Sequence, residues 1–367
     1  MNSVQRLRAT YHLEPVDRLF RREFYIWPEA IERWKTEGMP EDADVADLFG
    51  FDPIADVGVN MLGWCKPALV PPIESKVLET GDDYEIVRDG AGRVVKFFKG
   101  RRHGFMPTYL KHAVTGEADW AEDIEPLLSP DTPQRWQEFD ETAARLIDAD
   151  SKGLFIVQSC VGGYMYLRSL IGPEEVCYML VDNPALIHRM MQAWLHLADA
   201  VSARVQQHVE IDSLYLAEDI CYKHGLLISP DMVREFLLPY YQQLLDGIRR
   251  RQKTKRLFFQ LDTDGNCDEA IDLYRGIGMD TMTPFEVAAG SDVVAVAKKY
   301  PDLVILGGID KRVLAAGKDA IEEHLNHILP FMVRRGGYIP TCDHGVPDNV
   351  SFENYVYYRR RVMELDH

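Results

Sequence analysis

Cysteine is scarce in this chain, and its six copies stand apart. Cys65, Cys160, Cys177, Cys221, Cys267 and Cys342 form no Cys-x-x-Cys pair. That scatter excludes a disulfide framework and suits a reducing compartment, so a cytoplasmic setting is expected. Long apolar runs are missing too. No stretch nears the ~20 residues needed to cross a bilayer. The start, Met1-Asn2-Ser3-Val4-Gln5-Arg6-Leu7-Arg8, has no apolar centre of a secretion signal. Positive charge is in deficit, with 41 Lys and Arg against 58 Asp and Glu and a net charge of −17. One basic run, Arg249 to Arg256, falls at the end of a predicted helix, where cations offset the helix dipole. Neither a nucleic acid nor a membrane is an expected partner. Absent as well are G-x-S-x-G, H-E-x-x-H, and G-x-G-x-x-G after a strand. Gly307-Gly308 lacks the Lys-Ser/Thr of a phosphate-cradling loop.

What the chain does have is a repeated pattern of apolar runs that stop at polar residues. Ser213 to Ala217 ends at Glu218-Asp219, and Arg256 to Leu261 ends at Asp262-Thr263-Asp264-Gly265. Met279 to Phe285 ends at Glu286, Leu306-Gly307-Gly308-Ile309 at Asp310-Lys311-Arg312, and Gly337 to Cys342 at Asp343-His344-Gly345-Val346-Pro347. In a parallel barrel the C-terminal strand ends meet on one face, so residues distant in sequence converge there.

Helical segments separate these strands. Examples are Glu174–Val181, a long helix from Pro184 to Val209, and a helix entered through the N-cap pair Ser229-Pro230. Such alternation implies parallel strands with crossover helices. Adding strands near 22–27, 55–60 and 154–159 gives eight. The expected fold is α/β, a (β/α)8 TIM barrel with an N-terminal extension, spanning residues 1–367 as one domain. Residues 76–99 alternate polar and apolar around Arg88-Asp89-Gly90-Ala91-Gly92-Arg93 and read as a β-hairpin insertion.

Several strand-end residues carry chemistry. Asp262 and Asp264 point the same way while the backbone stays extended, and can share a metal ion or bind a cation. Asp264 can alternatively cap a helix starting near Asn266, and Gly265 permits a sharp turn. His344 can ligate zinc or act as a general acid or base. Cys342 reads as core more than as ligand. Glu218 and Glu286 are costly to bury without a metal, a cation or a proton donor, and a salt bridge from Glu286 to Lys311 or Arg312 is the plainer alternative. Lys311 and Arg312 can also hold a substrate carboxylate. Trp27, Trp64, Tyr164, Tyr166, Phe285 and Tyr338 lie near strand ends, where they can pack or wall a planar substrate.

With these residues the chain resembles the uroporphyrinogen decarboxylase superfamily, which includes barrel methyltransferases that feed corrinoid proteins. The resemblance runs through Val157-Gln158-Ser159-Cys160-Val161-Gly162-Gly163-Tyr164, Leu180-Val181-Asp182-Asn183-Pro184, Ile228-Ser229-Pro230, Gly307-Gly308-Ile309-Asp310 and His344-Gly345-Val346-Pro347. It covers about the C-terminal two thirds, and it implies a TIM barrel. The decarboxylases carry an Arg-Gln-Ala-Gly-Arg loop that grips an acidic porphyrinogen, whereas this chain has Phe24-Tyr25-Ile26-Trp27-Pro28-Glu29 there. The methyltransferase branch holds zinc through His-x-Cys and a later Cys. Here Asp262-x-Asp264 and His344 stand in those places.

The resemblance therefore implies a methyltransferase that demethylates a small methoxylated or methylated compound and passes the methyl to a separate corrinoid protein. Zinc on Asp262, Asp264 and His344 would assist, with Glu218, Glu286 and His344 as catalytic candidates. Trp27, Tyr164, Lys311, Arg312 and Tyr338 are the substrate-binding candidates. No D-x-H-x-x-G corrinoid motif is present, so cobalamin is expected only on the partner. A homodimer is compatible with this reading. The rival readings are a decarboxylase or lyase of a small carboxylate, and a non-enzymatic binding protein.

Overall fold

The structure, a computed structural model, describes residues 1–99 and 107–367. Its centre is a parallel sheet of seven strands, separated in sequence by helices. They are β1 (Asp56–Leu62), β6 (Phe155–Val161), β7 (Ser213–Ala217), β10 (Phe258–Thr263), β11 (Thr281–Pro284), β12 (Val304–Leu306) and β13 (Tyr338–Ile339), hydrogen-bonded in that order. Between them in sequence come β2 (Lys76–Thr80), β3 (Tyr84–Arg88), β4 (Val94–Phe98), β5 (Thr108–Lys111), and the short pair β8 (Cys221–Tyr222) and β9 (Gly225–Leu226). The architecture is that of a TIM barrel. Among the described residues no helix is long and apolar enough to cross a membrane.

The eighth stave differs from the expected strand. Of residues 22–27, Ile26 alone forms a parallel bridge, to Val346. Backbone pairing is confined to that point, where Trp27 N donates to Val346 O at 3.1 Å and Val346 N to Tyr25 O at 2.8 Å, and just before it carboxylates take the backbone donors. Asp52 accepts from Arg21 N at 2.8 Å, and Glu23 accepts from Phe24 N at 3.0 Å and Cys342 N at 2.6 Å. The insertion is larger than a hairpin, because β2, β3, β4 and β5 form a four-stranded antiparallel sheet.

Two apolar clusters hold the barrel. The larger packs the strands against the surrounding helices, with Trp194 of the helix Pro184–Val205 and Tyr241 of the helix Leu238–Arg251 inside it. The smaller closes the N-terminal end. There the helix Ser3–Tyr11 sets Leu7 and Tyr11 against Phe155, Phe258, Val304 and Ile339, at or near the starts of four strands. With that end plugged, the C-terminal ends form the open face. The register aligns them: Asp262 on β10 lies level with Ala217 on β7 and with Thr283 on β11.

Candidate functional site

A cavity of about 400 Å³ lies at the C-terminal mouth. Trp27, Trp64, Asp219, Asp262, Asp264 and His344 are among its lining residues. Side-chain alternation along β10 explains two of them. Gln260, Asp262 and Asp264 share one side, while Thr263, which also borders the cavity, turns its hydroxyl to accept from Ile220 N at 3.1 Å. Gly265 (φ +81°) then makes the turn, and a Cβ there would come within 2.7 Å of the Tyr222 backbone. Asp264 caps no helix, since the next one, Asp268–Arg275, has no side-chain cap.

Asp264 Oδ2 lies 3.5 Å from His344 Nε2. This interaction raises the His344 pKa against the opposing effect of burial, favouring imidazolium. Trp27 lies nearly parallel to the His344 ring, with centroids 6.3 Å apart, and Phe24 packs at 5.9 Å. Asp262 points deeper, where the Tyr215 hydroxyl donates to its Oδ2 at 2.6 Å. Burial pushes Asp262 up to about 7, helped by nearby Asp264 and Asp219 and opposed by the Tyr215 bond. Tyr215 stacks on Trp64 at 4.8 Å, so one aromatic wall carries the hydroxyl that holds Asp262.

The other expected residues lie elsewhere. Glu218 is fully buried behind the wall, where its Oε1 accepts from Tyr241 at 2.6 Å and Tyr274 at 2.8 Å. The mouth position belongs to Asp219 (φ +46°), paired with Arg168 at 2.8 Å. Alternation from Tyr215 and Ala217 turns Glu218 away from the cavity, and Asp219 follows beyond the strand end, where its left-handed backbone departs from the alternation. Tyr164 and Tyr338 are buried outside the mouth lining, and Tyr338 donates to Gly307 O at 2.9 Å. Tyr166 and Phe285 are also core. Lys311 pairs with Glu286 at 2.7 Å, and Arg312 with Asp310 at 2.8 Å, so neither cation faces the cavity unpaired. Glu286 also accepts from Gly265 N at 3.0 Å, which makes it a brace for the Asp264 turn. Phe24, Tyr25, Cys65 and Asp219 complete a wall of which the sequence had offered Trp27 and Trp64 beside Asp262, Asp264 and His344.

The zinc set does not assemble. Among the described residues no group of three or more His, Cys, Asp and Glu side chains is placed to hold a metal ion. Asp264 and His344 face each other, but Asp262 is engaged by Tyr215, and buried Cys342 lies outside the lining. The donors present do not fit the metal in this arrangement.

Residues 104–364 match the family Uroporphyrinogen decarboxylase (URO-D). Among curated proteins, a uroporphyrinogen decarboxylase of Geobacter metallireducens is 27% identical over 52% of this chain and 56% of its own length. One from Hydrogenobaculum sp. is 24% identical over 39% of this chain and 40% of its own. The chain thus spans about half the length of these curated relatives. Among solved structures, a methyltransferase from Methanosarcina mazei superposes with a TM-score of 0.62 at 15% identity, covering 99% of each chain, a likeness of fold. With most of its length matched and the barrel in place, the chain belongs to the uroporphyrinogen decarboxylase (URO-D) family.

Proposed function

We propose that this chain is a methyltransferase of the URO-D superfamily that takes a methyl group from a small methoxylated or methylated compound. The acceptor is cob(I)alamin on a separate corrinoid protein, which supplies the attacking electron pair. The observation that carries this reading is the Asp264–His344 pair at the rim of an acidic, aromatic-walled cavity. With a methoxyl substrate, the O–CH3 bond breaks, the methyl carbon bonds to the acceptor, and oxygen keeps the bonding pair. His344 then donates its proton to that oxygen, and Asp264 holds the imidazole protonated until it does. Asp262, whose pKa burial raises, offers a second proton or hydrogen bond from the cavity floor. Trp27 and Trp64 hold the substrate between aromatic surfaces and displace water.

The test is incubation of the purified chain with free cob(I)alamin and a panel of methoxylated and methylated small molecules. Methylcobalamin formation, followed by its absorption change, is the expected result. Absence of methyl transfer across the panel, together with release of carbon dioxide from uroporphyrinogen, overturns the reading.

Decarboxylation is the second reading, and the names of the curated relatives favour it. The charge at the mouth opposes it for a porphyrinogen. Asp219, Asp262 and Asp264 line the cavity, while Lys311 and Arg312 are tied to carboxylates outside it. An octa-acid meets repulsion there. Uroporphyrinogen is therefore expected to bind more weakly than micromolar. A fluorescence titration showing micromolar or tighter binding would contradict this expectation.

A further inference from the structure

The strands that bring Asp264 and His344 to the mouth stop short of them. Pairing between β10 and β11 ends at Thr263 and Pro284, and β12 and β13 are three and two residues long. Beyond them, one parallel bridge from Ile309 to Cys342 joins the last two loops. Charged side chains take over the tie from there. The Gly265 amide, one residue past Asp264, donates to Glu286 Oε2 at 3.0 Å. Lys311 Nζ donates to Glu286 Oε1 at 2.7 Å, and Lys311 N donates to Asp343 Oδ1 at 3.0 Å. Val287 N donates to the other oxygen of Asp343 at 3.0 Å. Asp343 is fully buried and immediately precedes His344. Four successive strand-end loops are thereby closed into one ring, and it meets the chain beside each member of the Asp264–His344 pair. Lys311 joins the two carboxylates of this ring. Burial works against its charge, but the Glu286 bond and the Asp343 charge outweigh that and keep it protonated. The Lys311–Glu286 pair is partly exposed, at 26% and 21% of the side chains, so it adds little to stability. Its consequence is placement.

We propose that Lys311 is a positioning residue for the reacting pair. Through Glu286 and Asp343 it fixes the loops after β10 and β13 relative to each other, and so sets the 3.5 Å separation of Asp264 and His344. It lies outside the cavity lining and acts only through these neighbours. A misplacement of about 1 Å at reacting groups costs on the order of 100-fold in rate, so a modest slackening of the ring is felt in turnover. The assignment rests on Asp264 and His344 being the reacting pair. Its first measurement needs no turnover, so the two readings fail separately.

The variants are Lys311→Met, which keeps the stem without the charge, Glu286→Gln, the two combined, and Lys311→Arg, which restores a charged donor. Amide hydrogen exchange is read first, on the full chain without substrate. Exchange at Gly265 should quicken by at least about tenfold in Lys311→Met, while amides inside β10 keep their wild-type protection. Methyl transfer is read second. Lys311→Met and Glu286→Gln should each lower kcat by about 10- to 100-fold with KM within about twofold, the mark of lost placement rather than lost binding. The combined variant should be no worse than the worse single one, because both changes open the same ring. Lys311→Arg should recover most of the rate. Circular dichroism confirms folding, and Lys311→Met, at a partly exposed position, decides the matter if Glu286→Gln does not fold. Unchanged exchange at Gly265 in Lys311→Met, or losses that multiply in the combined variant, overturn the proposal. If the wild type transfers no methyl group, the functional reading fails, and exchange at Gly265 still decides whether Lys311 ties the loops.

Discussion

Replacing His344 by Ala is expected to lower the rate of methyl transfer by about 100- to 10,000-fold at neutral pH, the range for loss of a general acid. The fold should survive, because His344 sits in a loop at the cavity rim with its side chain 32% exposed. The pH profile separates a proton donor from a packing residue. Asp264 raises the His344 pKa, so the acid form is present below that raised value and lost as pH climbs through it. The pair's contribution to stability has the same sign: full below the ordinary histidine value, and lost through the raised one. Asp264→Asn removes the carboxylate charge, and the alkaline limb of the rate profile should move to lower pH. An alkaline limb that stays in place in Asp264→Asn, with His344→Ala within about twofold of wild type, sinks the acid role. Zinc content measured on the same samples separates the remaining alternative. Stoichiometric metal in the wild type that disappears in His344→Ala would make His344 a ligand.

How much of this site the sequence reveals depends on how local each cause is. The strand positions follow from apolar runs of the right length, and β7 falls at 213–217 as read. The D-x-D pair at 262 and 264 reaches the mouth because alternation along a strand is a short-range property. The same property, counted from Tyr215, turns Glu218 away from the mouth, while Asp219 owes its place to a left-handed residue past the strand end. A strand-end pattern that treats both acids alike misses it. Residues 22–27 pair only at Ile26 because the Glu23 carboxylate takes the backbone donors of Phe24 and of Cys342 opposite, and no local pattern announces a contact that spans 319 residues. Lys311 and Arg312 look like substrate clamps until their partners are known. Asp310 is two residues from Arg312 and could be suspected, but Glu286 reaches Lys311 only through the closing of the barrel.

Glu218 should make the folded chain lose stability as pH rises. Its carboxyl is sealed between β7 and the helices, with Oε1 taking both tyrosine hydroxyls and Oε2 left without a partner. Burial pushes its pKa up to about 7 from 4.5, and the two tyrosine bonds only partly oppose that. In the unfolded chain the proton leaves near the ordinary value; in the folded chain it is held until near neutrality. Between those values the folded state binds more protons, so its stability falls with increasing pH. The shift amounts to a loss on the order of 3 kcal/mol, complete above the folded value. Glu218→Gln keeps an oxygen for Tyr241 and Tyr274 and is neutral at every pH. It should flatten this slope and make the chain more stable than wild type on the alkaline side. Glu218→Ala should instead be destabilising at all pH, since it leaves two buried hydroxyls without an acceptor and opens a void. Urea unfolding of the three proteins at mildly acidic and mildly alkaline pH, with m-values compared to confirm equal exposed surface, measures the difference. Parallel pH slopes for wild type and Glu218→Gln would show that the buried carboxyl ionises freely in the folded chain, contrary to its sealed position behind the mouth.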